Sequence, residues 1–388
     1  MSAQILLPAR IHIGGGVVRT LPEMLDQLGV RQPLLVTDPA MVALGHAAHI
    51  EALLAEAGVP LRLFKDTEQE PSSASIERGV DAFRNGSFDS LIALGGGSVI
   101  DSAKAIGVLA HHGGRMRDFA VPNDAETSGI PLIAVPTTAG TGSEATRFTV
   151  ITDSETQEKM LCRGSAYLPT AAIVDYEFTL TAPARLSADT GIDALTHAIE
   201  AYVSRRASPF TDDMALAAMS HLARNIERVC SEPRDSDARE AMMLGALQAG
   251  IAFSNASVCL VHGMSRPIGA LFHVPHGLSN AMLLPAVTRF SAVAAPERYA
   301  RCCRAMGWCE ADTPVEVAVA ALVDGLEELN RRLQVPDPKR FGIAREAWFA
   351  AMERMAQQAE TSGSPANNPR IPSRQEMVAL YTEVWGNA

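Results

Sequence analysis

Three short runs, LLVT at 34–37, LIAL at 91–94 and LIAV at 132–135, are apolar at nearly every position. Successive side chains of a strand point to opposite faces, so such a run is stable only when both faces are covered. That requirement selects a parallel sheet between layers of helices. Further strand-like runs fall at 5–13, 61–64, 148–152, 159–162 and 171–174, and helical patterns at 17–28, 41–57, 72–85 and 99–110. After residue 174 the texture changes. Helical periodicity dominates over 188–203, 211–229, 238–253, 278–290, 297–306, 314–333 and 375–385, with a Ser/Pro/Asn-rich loop at 361–374. A chain of 388 residues exceeds one ordinary core. The expected division is an α/β domain over 1–182 and an all-helical domain over 183–388.

The strand at 91–94 runs into Gly95, Gly96 and Gly97, and Ser98 opens a helix. Glycines let a backbone approach a phosphate, and the free amides at a helix start favour an anion. Ser98 with Asp101 three positions on is also a capping-box pattern, so the pair has a structural alternative. This is not the GxGxxG fingerprint. A second loop, PTTAGTGSE at 136–144, follows another apolar strand and offers the hydroxyls of Thr137, Thr138, Thr141 and Ser143. Two such loops at strand ends point to one ligand crevice. Asp38 closes the LLVTD strand; there a carboxylate accepts hydrogen bonds from both ribose hydroxyls and repels a 2′-phosphate, or else caps the helix that follows.

The second half holds His262, His273 and His276 within fifteen positions, among glycines and apolar residues. Upstream, ADTGIDALTHAIEAY places Asp193 and His197 four apart, on one helix face. Asp193 and His197 can supply a carboxylate and an imidazole to a divalent ion, with His262 and His276 completing the set. One carboxylate and three imidazoles suit Fe²⁺ or Zn²⁺ and leave room for a substrate oxygen.

Charge and composition exclude other classes. The net charge is −11 with Lys and Arg scattered, which argues against nucleic acid or an anionic membrane as partner. No run approaches the roughly 18 apolar residues of a membrane span, and the N-terminus lacks a signal-peptide pattern. Six cysteines without a CxxC pair point to reduced thiols. The expected location is the cytoplasm.

Taken together, GGGSxxDxAK, PTTAGTGSE, DALTHAIEAY and VHGM…PHGLSNAMLLP resemble the iron-containing (group III) alcohol dehydrogenase family, in order over nearly the whole chain. The resemblance implies a dinucleotide-binding α/β domain and a helical metal-binding domain, the architecture shared with dehydroquinate synthase, with the active site in the cleft between them. It implies an NAD-linked alcohol dehydrogenase or aldehyde reductase that transfers hydride between NAD and a primary alcohol held by one divalent metal. Fe²⁺ is the first expectation for that metal and Zn²⁺ the alternative. Asp193, His197, His262 and His276 match the metal ligands. Asp38, Gly95–Ser98, Thr137, Thr138, Thr141 and Lys159 match positions around the cofactor, and Phe253 matches an aromatic near the nicotinamide. A homodimer pairing through the strand at 5–13 is implied as well. Many members carry a histidine four residues after the His262 position; here it is Arg266. That guanidinium either forms a structural ion pair or binds an anionic group on the substrate. With the family's histidine absent, His273 becomes the candidate proton relay. The rival readings are a related reductase of the glycerol or maleylacetate type, a dehydroquinate-synthase-like lyase, and a non-catalytic nucleotide-binding protein.

Overall fold

The computed structural model describes residues 3–127 and 129–386. The chain divides into two compact units, one spanning Ile5–Ala182 and the other built from Pro183 onward.

The first unit contains β1 (Arg10–Gly14), β2 (Pro33–Val36), β3 (Arg62–Phe64), β4 (Ser90–Gly95), β5 (Leu132–Pro136), β6 (Phe148–Thr152), β7 (Lys159–Arg163) and β8 (Ala171–Asp175). Its helices are α1 (Leu21–Leu28), α2 (Pro39–Ala43), α3 (His46–Glu56), α4 (Ser73–Arg84) and α5 (Gly97–His112). Six strands form one sheet in the order β1-β8-β5-β4-β2-β3, every pairing parallel. Leu34, Val36, Leu91, Ala93, Leu132 and Ala134 pack into the layer that holds Ile76, Val80 and Phe83 of α4 with Ile100 and Leu109 of α5. The intervening residues Leu35, Ile92, Leu94, Ile133 and Val135 join Leu21, Met24 and Leu25 of α1 and Ile50 and Leu54 of α3. Each fully buried Leu, Ile or Val contributes about 1.5–3 kcal/mol, so the continuous apolar strands are stable only in this sandwiched setting. β6 and β7 behave differently, pairing antiparallel in a hairpin of their own. β6 alternates buried with half-buried positions, the pattern of a strand covered on one face.

Strand order reverses between β2 and β4, and ligands of open α/β sheets bind beyond the carboxyl ends of the strands at such a point. The segments leaving β2, β4 and β5 lie side by side there. Thr37 Oγ1 donates to Leu94 O at 2.7 Å, and Thr137 N to Gly95 O at 3.0 Å.

The second unit has no strand among its described residues. It comprises α6 (Ala184–Val203), α7 (Pro209–Ser231), α8 (Ser236–Ala256), α9 (Leu260–Phe272), α10 (His276–Ala292), α11 (Pro296–Met306), α12 (Val315–Arg332), α13 (Pro338–Phe341), α14 (Arg345–Thr361) and α15 (Arg374–Gly386). Every residue of α6 from Gly191 to Val203 is buried, the mark of a helix enclosed on all sides, and α7, α8 and α10 pack around it. α9 and α14 fall where no helix was expected. In α9 the residues Gly263, Pro267 and Gly269 imitate a loop. Gly263 is a packing residue: a Cβ there would stand 2.8 Å from the Pro365 ring. All six cysteines are free thiols, and among the described residues no single helix is long and apolar enough to cross a membrane.

Candidate metal centre and nucleotide-binding edge

A helix buried on all sides leaves its polar side chains no water, so each needs a partner inside the protein. On α6 three such residues, Asp193, His197 and Glu200, follow one stripe at i, i+4 and i+7. α9 brings His262 to that stripe and α10 brings His276, its first residue. Gly277 permits the approach of α10, because a Cβ at that position would stand 2.2 Å from the Asp189 carbonyl oxygen of α6.

The result is one cluster. One donor atom from each of Asp193, His197, His262 and His276 lies within 4.8 Å of all the others. The Nε2 atoms of His262, His276 and His197 stand 3.5, 3.6 and 3.9 Å from Asp193 Oδ1. Those separations are long for hydrogen bonds. They approximate the edges of a coordination polyhedron, about 3.4 Å for a tetrahedron with bonds of about 2.1 Å. The His276 side chain is 48 % exposed against 3–7 % for the other imidazoles, so the set opens on the His276 side. Burial pushes the Asp193 carboxyl up, but the facing imidazoles of His197, His276 and His262 outweigh it and hold it below the usual carboxylate range. Burial likewise opposes protonation of His262, yet Asp193 on one side and Glu200 on the other raise it.

Two residues that motif matching left unassigned complete the centre. Glu200 Oε2 accepts from His262 Nδ1 at 2.7 Å and from Cys259 N at 2.9 Å, while Oε1 accepts from Val261 N at 2.6 Å. The carboxylate thus satisfies the free amides at the start of α9 and fixes the proton of His262 on Nδ1, leaving the Nε2 lone pair directed at the cluster. Its signal was the i+7 position within DALTHAIEAY. The second is Asn280 on α10, four positions after His276. Its Nδ2 sits 2.6 Å from Asp193 Oδ1, 3.1 Å from His262 Nε2 and 3.3 Å from His276 Nε2. An amide N–H group, carrying partial positive charge, is directed at three donor atoms that would face a cation. Its buried Oδ1 has no hydrogen-bond partner among the described residues. The donor chemistry, the spacing and this stand-in amide all fit a divalent metal.

The remaining candidates of this unit sit around the cluster. Phe253 stacks on His197, ring centroids 4.1 Å apart and planes 16° off parallel, and His262 stacks on His197 at 4.4 Å. Phe253 therefore has a partner in the metal centre that the cofactor assignment did not anticipate. Arg266, one turn after His262, is half-buried, donates to Ser364 Oγ at 3.2 Å and forms no ion pair among the described residues. His273 is the exposed, left-handed C-cap of α9 with φ 55°, and its ring is outside the four-donor group.

In the α/β unit the switch point gathers Asp38, Gly95–Ser98, Thr137, Thr138 and Thr141. Asp38 Oδ1 accepts from Met41 N at 2.8 Å, the capping alternative. Ser98 does not cap α5, whose N-cap is Gly96; its hydroxyl donates to Gln69 O at 2.6 Å. Lys159 pairs with the adjacent Glu70 at 2.6 Å. Asp101 and Ser143, expected at the cofactor, have their side chains engaged within the fold instead. Asp101 accepts from Ser143 Oγ at 2.6 Å and from Val150 N at 2.9 Å. The reason is Lys104, which the sequence reading passed over. Its buried ammonium donates to Ser143 Oγ, Thr146 Oγ1 and Phe148 O at 2.9, 3.0 and 2.9 Å, pinning the second loop to α5. Burial pushes Lys104 down to about 8, opposed by Asp101 and Glu144, and pushes the buried Glu144 carboxyl up to about 7.

Comparison with known proteins agrees with this geometry. Residues 8–176 match the family model described as iron-containing alcohol dehydrogenase, and residues 187–385 match the C-terminal model of the same family. The chain is 34% identical to the NAD-dependent methanol dehydrogenase of Bacillus methanolicus, covering 96% of this chain and 97% of the relative. It is 34% identical to the lactaldehyde reductase of Escherichia coli K12, covering 99% and 100%. A crystal structure of a 1,3-propanediol oxidoreductase superposes with a TM-score of 0.95 at 33% identity, covering 99% of this chain and 100% of that one.

Proposed function

The chain belongs to the iron-containing alcohol dehydrogenase family, and from that premise we propose that it interconverts primary alcohols and aldehydes with NAD(H) at a single Fe²⁺. That it is an NAD(H)-linked alcohol dehydrogenase or aldehyde reductase follows from its full-length relatives. The ion, the residue roles and the assembly are our reading. The observation that carries it is the buried Asp193–His197–His262–His276 set with Glu200 behind His262.

When bound, the cation supplies Lewis acidity toward an alcohol or carbonyl oxygen, and the nicotinamide accepts or returns the hydride. The chain's own residues do the rest. Glu200 keeps the His262 proton on Nδ1, Phe253 and His262 hold the His197 ring between them, and the exposed side at His276 admits substrate. Gly95–Ser98, with Thr137, Thr138 and Thr141, cradle the cofactor phosphates at the switch point. The second carboxylate oxygen of Asp38 receives the ribose and selects NAD over its 2′-phosphate. His273, exposed at the end of α9 and outside the four-donor group, carries protons to solvent. β1 is an edge strand of the sheet, and Ile13 on it is 38% exposed, so a homodimer pairing through this edge in the cytoplasm completes the reading.

The test is elemental analysis of the purified protein followed by NADH formation with a panel of primary alcohols, before and after chelation. Stoichiometric iron and chelator-sensitive NADH production are expected. Zinc in its place would change the ion, and no net NADH with any alcohol would point to a lyase or a binding protein instead.

A further inference from the structure

Arg266, one turn after the metal-centre residue His262 on α9, forms no ion pair among the described residues. It shares a face of α9 with His262, about 6 Å farther along the axis, and its guanidinium is half-buried. Its one acceptor among the described residues is the neutral Ser364 Oγ at 3.2 Å. Removal from water lowers its pKa, and the one carboxylate whose charge opposes this is Glu200. Glu200 already accepts from Cys259 N, Val261 N and His262 Nδ1.

The charges can be counted. Asp193 and Glu200 contribute two negative charges, which balance a divalent cation at the four-donor set. Arg266 then leaves one positive charge over, and among the described residues no carboxylate pairs with it directly. A guanidinium with free N–H groups matches the planar oxygens of a carboxylate, or those of a sulfonate or phosphonate. We infer that Arg266 is a substrate-specificity residue that binds an anionic terminal group, so that the preferred substrates are short ω-hydroxy acids and the corresponding aldehyde acids. Positions 262 and 266 stand about 6 Å apart along α9, which favours short-chain substrates. This inference rests on the dehydrogenase reading above for its substrates. Anion binding at Arg266 stands apart from it.

Two measurements on the metal-loaded protein test it. The first is the ratio of kcat/KM for γ-hydroxybutyrate to that for n-butanol. It should favour the acid in the wild type, fall about ten- to a hundredfold in Arg266→Met, and recover in part in Arg266→Lys. The second is calorimetric titration with unreactive butyrate and its neutral counterpart butyramide. Butyrate should bind the wild type, weaken by the same factor in Arg266→Met, and outbind butyramide only where residue 266 is cationic. Oxidation of n-butanol without acid preference or butyrate binding would overturn the anion site and leave the dehydrogenase standing. Butyrate binding that depends on Arg266 in a protein oxidising neither alcohol would support the site and overturn the dehydrogenase. An effect confined to the KM for NAD would assign the guanidinium to the dinucleotide and overturn the proposal.

Discussion

Replacing Glu200 by Gln keeps the shape and removes one negative charge, and the consequences can be worked out bond by bond. The carboxylate accepts three hydrogen bonds, at 2.6 Å from Val261 N, 2.9 Å from Cys259 N and 2.7 Å from His262 Nδ1. An amide has one acceptor oxygen. With that oxygen toward Val261, the NH₂ group meets Cys259 N–H and drives the His262 proton from Nδ1 to Nε2, where it blocks ligation. With the amide flipped, the NH₂ meets Val261 N–H and pushes the first turn of α9, and His262 with it, away from α6. Either way the metal is held less tightly. Loss of a carboxylate behind a ligating histidine costs about 10–100-fold in metal affinity, or about 1.4–2.8 kcal/mol. The unsatisfied amide adds about 1–3 kcal/mol of lost fold stability, with or without metal. Chelator competition on the metal-loaded wild type and Glu200→Gln measures the first term, and urea denaturation of the metal-stripped proteins the second. A variant that loses stability yet holds metal as tightly as the wild type would reduce Glu200 to a helix cap and refute the orienting role.

Gly277→Ala should act through geometry alone. Its Cβ would stand 2.2 Å from the Asp189 carbonyl oxygen, forcing α10 from α6 at about 1–3 kcal/mol and weakening metal retention because Asp193 and His276 move apart; unchanged urea and chelator midpoints would count against this. Glu144→Gln should change the pH dependence of stability. The Glu144 carboxyl is raised from 4.5 to about 7, so the folded state holds a proton that the unfolded state has released, and the associated stability is full below 4.5 and lost as pH rises through 7. Relative to the Gln variant, the wild type should weaken by about 3 kcal/mol between pH 4.5 and 8; a gap that stays constant in urea titrations across that range would refute the assignment.

The parallel sheet was legible because its strands are apolar on both faces, a pattern no exposed element can sustain. The metal donors were legible because imidazoles and a carboxylate are scarce in apolar surroundings and recur at helical spacing. Other features depend on contacts between distant segments. Asp101 was expected at the cofactor because it shares a motif with the glycines, but Lys104 and Ser143 turn it inward. The stacking of Phe253 on His197 is another such contact. α9 was hidden by Gly263 and Pro267, and the need for glycine at 263 comes from the distant Pro365 ring, which a Cβ there would meet at 2.8 Å. α14 had no such disguise: Trp348, Met352, Met355 and Ala359 are buried at helical spacing and could have been read.

Glu200 lies between these cases. Asp193, His197 and Glu200 form one stripe of a helix whose every neighbour is buried, and a buried carboxylate without a partner would cost several kcal/mol. Two carboxylates on that stripe therefore needed two different compensations. Asp193 faces the Nε2 atoms of three imidazoles, an arrangement that suits a shared cation. Glu200, two turns on, faces N–H groups at the start of α9 and on His262. The same residue class does opposite work because one end of the stripe meets three imidazole nitrogens and the amide that stands where a cation would, and the other meets backbone and imidazole N–H groups. By that logic the helix that binds the ion also aims the next helix's ligand at it, so damage at Glu200 should register in metal affinity even though Glu200 is outside the four-donor set.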